Sequence, residues 1–207
     1  MIMNPSVEKP ISEHKNGLLV IISGPSGAGK TTITHAVEKK VGAVFSVSMT
    51  TRPQTAADVE GQDYFFVSEN SFREAIAQDQ LLEWAEVYAG RFYGSPRKWV
   101  SEQLQAGKLV ILEIDVDGAK QVKAKMPEAF SIFIEPPSEE VLLQRLRARA
   151  REDESVIQER FAKAKAEIAA AHASGVYDQF LINDVLEFSI QTASEWIAAR
   201  RAQVSGG

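Results

Sequence analysis

The 207-residue chain contains no cysteine, which excludes both a disulfide framework and a thiolate metal site. Its three histidines, His14, His35 and His172, are scattered, and none is assigned a catalytic or metal role. Positive charge is not in excess: 23 Lys and Arg against 28 Asp and Glu leave a formal net charge of −5. That argues against general binding to nucleic acid or to an anionic membrane, since both require a basic surface. Long hydrophobic runs are missing too. The longest, Leu18 to Ile22, is far too short to span a bilayer, which needs about 20 residues. Residues 1–16 lack the cationic start and the ~7–15 apolar residues of a secretory signal and read as a frayed arm. A soluble, cytoplasmic protein is expected, and nothing in the composition chooses between monomer and homodimer.

What is present is an alternation of apolar runs and amphipathic segments. Leu18 to Ile22, Val44 to Val47, Lys108 to Ile114, Phe130 to Ile134 and Phe180 to Ile182 read as strands. Continuous rather than alternating apolarity marks strands covered on both faces. Helical spacing follows at Lys30 to Lys40, Val116 to Lys125, Ser138 to Ala150, Ser155 to Ala171 and Ile190 to Ala202. In the fourth of these helices, Ile157, Phe161, Ala164 and Ile168 form one apolar face. Ser138, before Glu139 and Glu140, is a candidate N-cap. Such alternation implies an α/β fold with a parallel sheet and helices on both sides. Residues 50–96 break the rhythm. They are rich in Gly, Tyr and Phe, with a strand-like Tyr64 to Val67 and a helix near Asn70 to Ala77, and read as an inserted subdomain.

Directly after the first strand stands Gly24-Pro25-Ser26-Gly27-Ala28-Gly29-Lys30-Thr31, which matches G-x-x-x-x-G-K-[ST] between an apolar strand and an amphipathic helix. The three glycines allow the backbone to wrap closely around phosphate oxygens, with N–H groups converging at a helix N-terminus. Lys30 supplies a point charge for the β- and γ-phosphates, and Thr31 a hydroxyl for Mg2+. The loop predicts a nucleoside-triphosphate site. Alone it does not separate a kinase from an ATPase, a GTPase or a motor.

The remaining motifs resemble guanylate kinase. Ser46-Val47-Ser48-Met49-Thr50-Thr51-Arg52 resembles that family's S-x-S-x-T-T-R. Gly61 to Val67 resembles its G-x-x-Y-x-F-V, Glu83-Trp84-Ala85 with Tyr93-Gly94-Ser95 its E-W-A and Y-G-S, and Ile111 to Asp115 its I-L-x-I-D. The resemblance runs in register from about Gly17 to Ala202. It implies a three-layer P-loop nucleoside monophosphate kinase-like fold, with its core near residues 17–49, 97–137 and 165–202, a GMP-binding subdomain over 50–96 and a helical lid over 138–164. It implies ATP and GMP as substrates, Mg2+ as cofactor, and direct in-line transfer.

Site residues follow from the same resemblance. ATP would lie on the glycine loop with Thr32 and Asn183. GMP would meet Ser48, Arg52, Tyr64, Glu83, Tyr93, Ser95 and Asp115. Arg52 would clamp the acceptor phosphate with paired charge-assisted bonds. Glu83 and Ser95 would read guanine, because a carboxylate accepts from N1–H and N2–H2 but meets adenine N1 lone pair to lone pair. Asp115 would lie near the reacting phosphates. Arg145, Arg149 and Arg160 would be the lid arginines that stabilise the transferring group, with Arg147 and Arg151 as solvated surface charges. In two places the chain departs from the pattern. Thr55 occupies the place of a second phosphate-clamping arginine, which suggests weaker GMP binding unless Arg91 or Arg97 substitutes. Ala150 replaces a glycine after a lid arginine. Two alternatives stay open: a kinase for another small phosphorylated acceptor, and a non-catalytic binding module of the same fold.

Overall fold

Five apolar runs assemble into one parallel sheet whose three central strands bury both of their faces, while the two edge strands are only partly covered. The computed structural model describes residues 17–88, 90–149 and 153–205. The expected N-terminal arm, the side chain of Arg149, and residues Ala150 and Arg151 lie outside the described residues. In chain order the elements begin β1 (Leu18–Ser23), α1 (Lys30–Val41), β2 (Val44–Phe45), β3 (Met49–Thr50), β4 (Phe65–Phe66), α2 (Glu69–Ala77), β5 (Leu81–Tyr88) and β6 (Arg91–Pro96). They continue with α3 (Arg97–Gln105), β7 (Leu109–Glu113), α4 (Val116–Lys125), β8 (Phe130–Glu135), α5 (Glu139–Arg149), α6 (Glu154–Ser174), β9 (Gln179–Ile182) and α7 (Leu186–Ser205).

The large sheet runs β2-β7-β1-β8-β9 with every pairing parallel. Alternation along β1 divides the core. Leu19 and Ile21 pack with Val100 and Leu104 of α3, Val116, Ala119 and Val122 of α4, and Ala171 of α6. Leu18, Val20 and Ile22 pack with Ile33 and Val37 of α1 and with Ala193 and Ile197 of α7. Helices therefore cover both faces, the α/β three-layer arrangement that the alternation predicted. Neighbours β7 and β8 flank β1, so the connections leave β1 in both directions and open a crevice at the carboxyl ends of the strands. Among the described residues, no helix is long and apolar enough to cross a membrane.

The segment that broke the rhythm forms a second sheet, β4-β3-β6-β5, mixed in direction, with its own small core of Phe72, Ala75, Leu81 and Phe92. The hairpin of β5 and β6 is a feature the sequence pattern did not single out. Apolarity along β5 is interrupted by Glu83 and Glu86, charges that ordinarily mark a solvated face. Other elements differ at their ends. The strands expected over 44–47 and 64–67 shrink to two residues each, while α6 and α7 run beyond the apolar stripes that announced them. Ser138 does cap α5, accepting from Val141 N at 3.3 Å.

Candidate functional site

The glycine loop begins where β1 ends. Gly29 is the N-cap of α1, with φ 90° and ψ 15°, a left-handed conformation that an L side chain rarely adopts. No side chain caps the helix, so its first amides remain for an outside anion. Tertiary contacts hold the loop tightly from behind. Asn183, just past β9, donates Nδ2 to Ala28 O at 2.7 Å, and a Cβ on Gly29 would meet that nitrogen at 2.4 Å. Leu142 and Leu146 of α5 press on Gly27. The structure thus gives Asn183 and Ala28 the role of shaping the loop.

Lys30 and Thr31 open α1 and face Glu113, the last residue of β7. Thr31 Oγ1 donates to Glu113 Oε1 at 2.7 Å, and Lys30 Nζ lies 3.9 Å from the same oxygen. Among the described residues, Glu113 Oε2 is buried without a hydrogen-bond partner. Sequence reasoning passed over Glu113, treating it as the variable position before Ile114-Asp115. The available signal was an acid ending an otherwise apolar strand. Among the described residues, no three His, Asp or Glu gather as a metal cage. A hydroxyl, one carboxylate with an unsatisfied oxygen, and room for phosphate nonetheless suit Mg2+, which binds through one or two carboxylates plus substrate phosphates.

The second sheet supplies the other wall. Glu83 and Ser95 stand opposite each other on β5 and β6, and Ser95 Oγ donates to Glu83 Oε1 at 2.6 Å. Glu83 is only 3% exposed. Burial raises its carboxyl pKa to about 7, against the restraining hydrogen bond from Ser95 and with a further push from nearby Asp115. Helix α4 leaves space for it at Gly118, where a Cβ would stand 2.7 Å from Glu83 Oε2. Asp115 caps that helix, accepting from Gly118 N at 2.7 Å. Tyr64 and Tyr93 meet edge to face, with centroids 5.6 Å apart. Burial also pushes the Tyr64 hydroxyl above its ordinary pKa.

Arg52 is not turned loose into the cleft. Its Nη1 donates to Asp58 Oδ2 at 2.9 Å and its Nη2 to Asp58 Oδ1 at 2.7 Å, while the guanidinium lies 5.3 Å from the ring centroids of both Tyr64 and Phe66. Thr55 binds the same carboxylate. Of the two arginines proposed to substitute at Thr55, Arg97 is tied to Asp79 at 2.5 Å, and Arg91 is exposed at the start of β6.

On the lid side, Arg160 Nη2 donates to Ser26 Oγ at 2.8 Å, and Arg145 Nη2 to Asn183 O at 2.9 Å, with Arg145 Nη1 buried and without a hydrogen-bond partner among the described residues. Arg147 pairs with Glu154 on the surface. A single cleft of about 750 Å3 joins these parts. Gly24, Pro25, Ser26, Gly27, Gly29, Lys30 and Thr31 of the glycine loop line it, and so do Ser48, Tyr64, Glu83 and Tyr93 around the second sheet, together with Glu113, Asp115 and Arg160. Among the expected site residues, Ala28, Thr32, Asn183, Ser95, Arg52 and Arg145 do not line it.

The sequence matches the guanylate kinase family model over residues 16–200. The chain belongs to the guanylate kinase family. It is 45% identical to the guanylate kinase of Nostoc sp. over 185 residues, which cover 89% of each chain. It is 43% identical to that of Caldanaerobacter subterraneus over 195 residues, covering 94% of this chain and 93% of the relative. The crystal structure of guanylate kinase from Anaplasma phagocytophilum superposes with a TM-score of 0.73 at 31% identity, covering 90% of this chain and 87% of that one. A sugar kinase from Janibacter sp. superposes at a TM-score of 0.50 and 18% identity, a likeness of fold alone. One cleft gathers residues from most of the motifs that sequence reasoning picked out. Ser95 and Asn183 stand outside the cleft lining, bonded to Glu83 and to Ala28 of the glycine loop respectively.

Proposed function

We propose that this chain transfers the γ-phosphoryl group of ATP to GMP, giving ADP and GDP, by direct in-line displacement. The observation that carries the reading is that Lys30 and the buried Glu83 line the same cleft. A triphosphate cradle and a carboxylate suited to a purine edge therefore address the same space.

In this mechanism the amides after Gly29 and the Lys30 ammonium hold the β- and γ-phosphates. Mg2+, when bound, neutralises developing charge on the phosphates, and Thr31 with Glu113 would hold it. Arg160, already at the glycine loop, balances charge on the equatorial oxygens, with Arg145 and Arg149 as further lid cations. Arg52, Tyr64, Tyr93 and Ser48 direct the acceptor phosphate. The acceptor is an anion before it arrives, so no general base is needed. Glu83 ionises as guanine docks and accepts its N1–H and N2–H2. Adenine offers no N1 proton there, and sites built on such buried pairing reject the wrong ligand by roughly 10⁴.

ADP release measured with GMP, dGMP, AMP and UMP in parallel tests the reading. GMP is expected to be turned over more efficiently than AMP by roughly 10⁴, the discrimination that a lost buried polar pairing produces. Equal rates with AMP, or ADP release indifferent to any nucleotide, would remove it.

A further inference from the structure

Asp58 occupies the arginine that was expected to await the acceptor. It lies six residues beyond Arg52, in the loop between β3 and β4, and takes both terminal nitrogens of the guanidinium in a bidentate pair. Thr55 secures the carboxylate in turn, donating its backbone N and its Oγ1 to Asp58 Oδ2, each at 2.7 Å. Pro53 O accepts a second bond from Arg52 Nη1 at 3.1 Å. Five N–H donors belong to a guanidinium, in a fixed planar fork. These contacts use both hydrogens of Nη1 and one of Nη2. Among the described residues, none takes the Nε–H or the second Nη2–H, which together form the side edge, itself able to hold two oxygens of a phosphate. Two aromatic rings, Tyr64 and Phe66, restrict the plane, and Tyr64 also lines the cleft. The acceptor phosphate therefore need not displace Asp58.

From this geometry we propose that Asp58 and Thr55 are positioning residues: they lock one edge of Arg52 so that its Nε–Nη2 edge is presented to the phosphate of the acceptor nucleotide. The inference rests on the proposed reaction and deepens it. It also explains what Thr55 does in place of a second cation. A threonine adds a neutral donor that keeps Asp58 committed to Arg52, where an arginine would compete for the same carboxylate. Orientation of one pre-organised guanidinium then stands in for a second charge, because less side-chain entropy is lost per bond when phosphate binds.

Steady-state kinetics and calorimetric binding of GMP and of guanosine, on the full chain, test the proposal. Asp58→Ala is expected to raise the KM for GMP roughly tenfold to hundredfold, as for a displaced charged hydrogen bond. Its kcat and its KM for ATP should stay within about twofold, and guanosine, which lacks the phosphate, should bind as before. Asp58→Glu should recover most of the loss. Thr55→Val, which keeps shape and the backbone donor but loses Oγ1, should raise the KM for GMP by about threefold. A fall in that KM for Asp58→Ala would make Asp58 a competitor of the phosphate and overturn the proposal. An unchanged KM, or an equal loss for guanosine, would overturn it as well. Wild-type protein that binds no GMP would sink the proposed reaction itself, whereas GMP binding that ignores Asp58 sinks only the positioning role.

Discussion

In the proposed reaction the two ends of the cleft would hold anions by different means. The triphosphate end is made of consecutive residues and largely of backbone, from Gly24 to Thr31, with Lys30 and Glu113 added. The acceptor end is made of side chains from separate strands and a loop: Ser48, Tyr64, Glu83 and Tyr93, with Ser95, Arg52 and Asp58 behind them. Backbone amides can hold phosphate but cannot tell guanine from adenine. A buried side chain can discriminate, and it carries a cost in stability. Glu83 illustrates that exchange. The unfolded chain releases this proton near 4.5, while the folded protein keeps it to about 7. Stability thus falls as pH rises between those values, by about 3 kcal/mol at the upper end.

Substitutions that touch one end and spare the other would break or sharpen the contrast. The largest effect is expected from Lys30→Ala, which should lower kcat by roughly 10³ for every acceptor without changing the order of preference. Next, Glu83→Gln should reduce the preference for GMP over AMP by about a hundredfold. It should also stabilise the free protein at pH 8, by up to about 3 kcal/mol in urea unfolding, since an amide needs no ionisation. Activity lost with no gain in stability would mean that the carboxyl is not held protonated by burial. Gly118→Ala comes third. The new methyl group would press on Glu83 Oε2, with an expected rise of about tenfold in the KM for GMP and none in the KM for ATP. Overpacking against a buried carboxyl costs about 1–3 kcal/mol, so an unchanged KM for ATP is the control that separates this effect from lost folding. The smallest effect is one of pH. The ratio of kcat/KM for GMP to that for AMP should rise up to about tenfold from pH 6 to pH 8 as Glu83 ionises. Both nucleotides carry the same phosphate, so the ratio isolates the base-reading group. A flat ratio would assign recognition to a group other than Glu83.

Legibility differed between the ends for the same reason. The strand, glycine loop and helix at Leu18 to Val41 are local, and their pattern stated both fold and chemistry in advance. The central strands were likewise readable because they are apolar on both faces. The β5–β6 hairpin was not, because the charge that interrupts its pattern, Glu83, is the one the fold buries. Glu113 escaped for a related reason: its partners Thr31 and Lys30 are more than eighty residues away. Arg52 was expected to bind phosphate, but nothing in the chain announced that Asp58 already holds one of its edges.

The sequence alone determined the parallel α/β core, the phosphate loop and the family, since these depend on local periodicity and on contiguous motifs. Only tertiary structure decided which side chains share the cleft, which ones stand behind it, and which carboxyl is driven toward neutrality. Those outcomes follow from desolvation and from contacts between residues distant along the chain, and both arise only once the two sheets have packed.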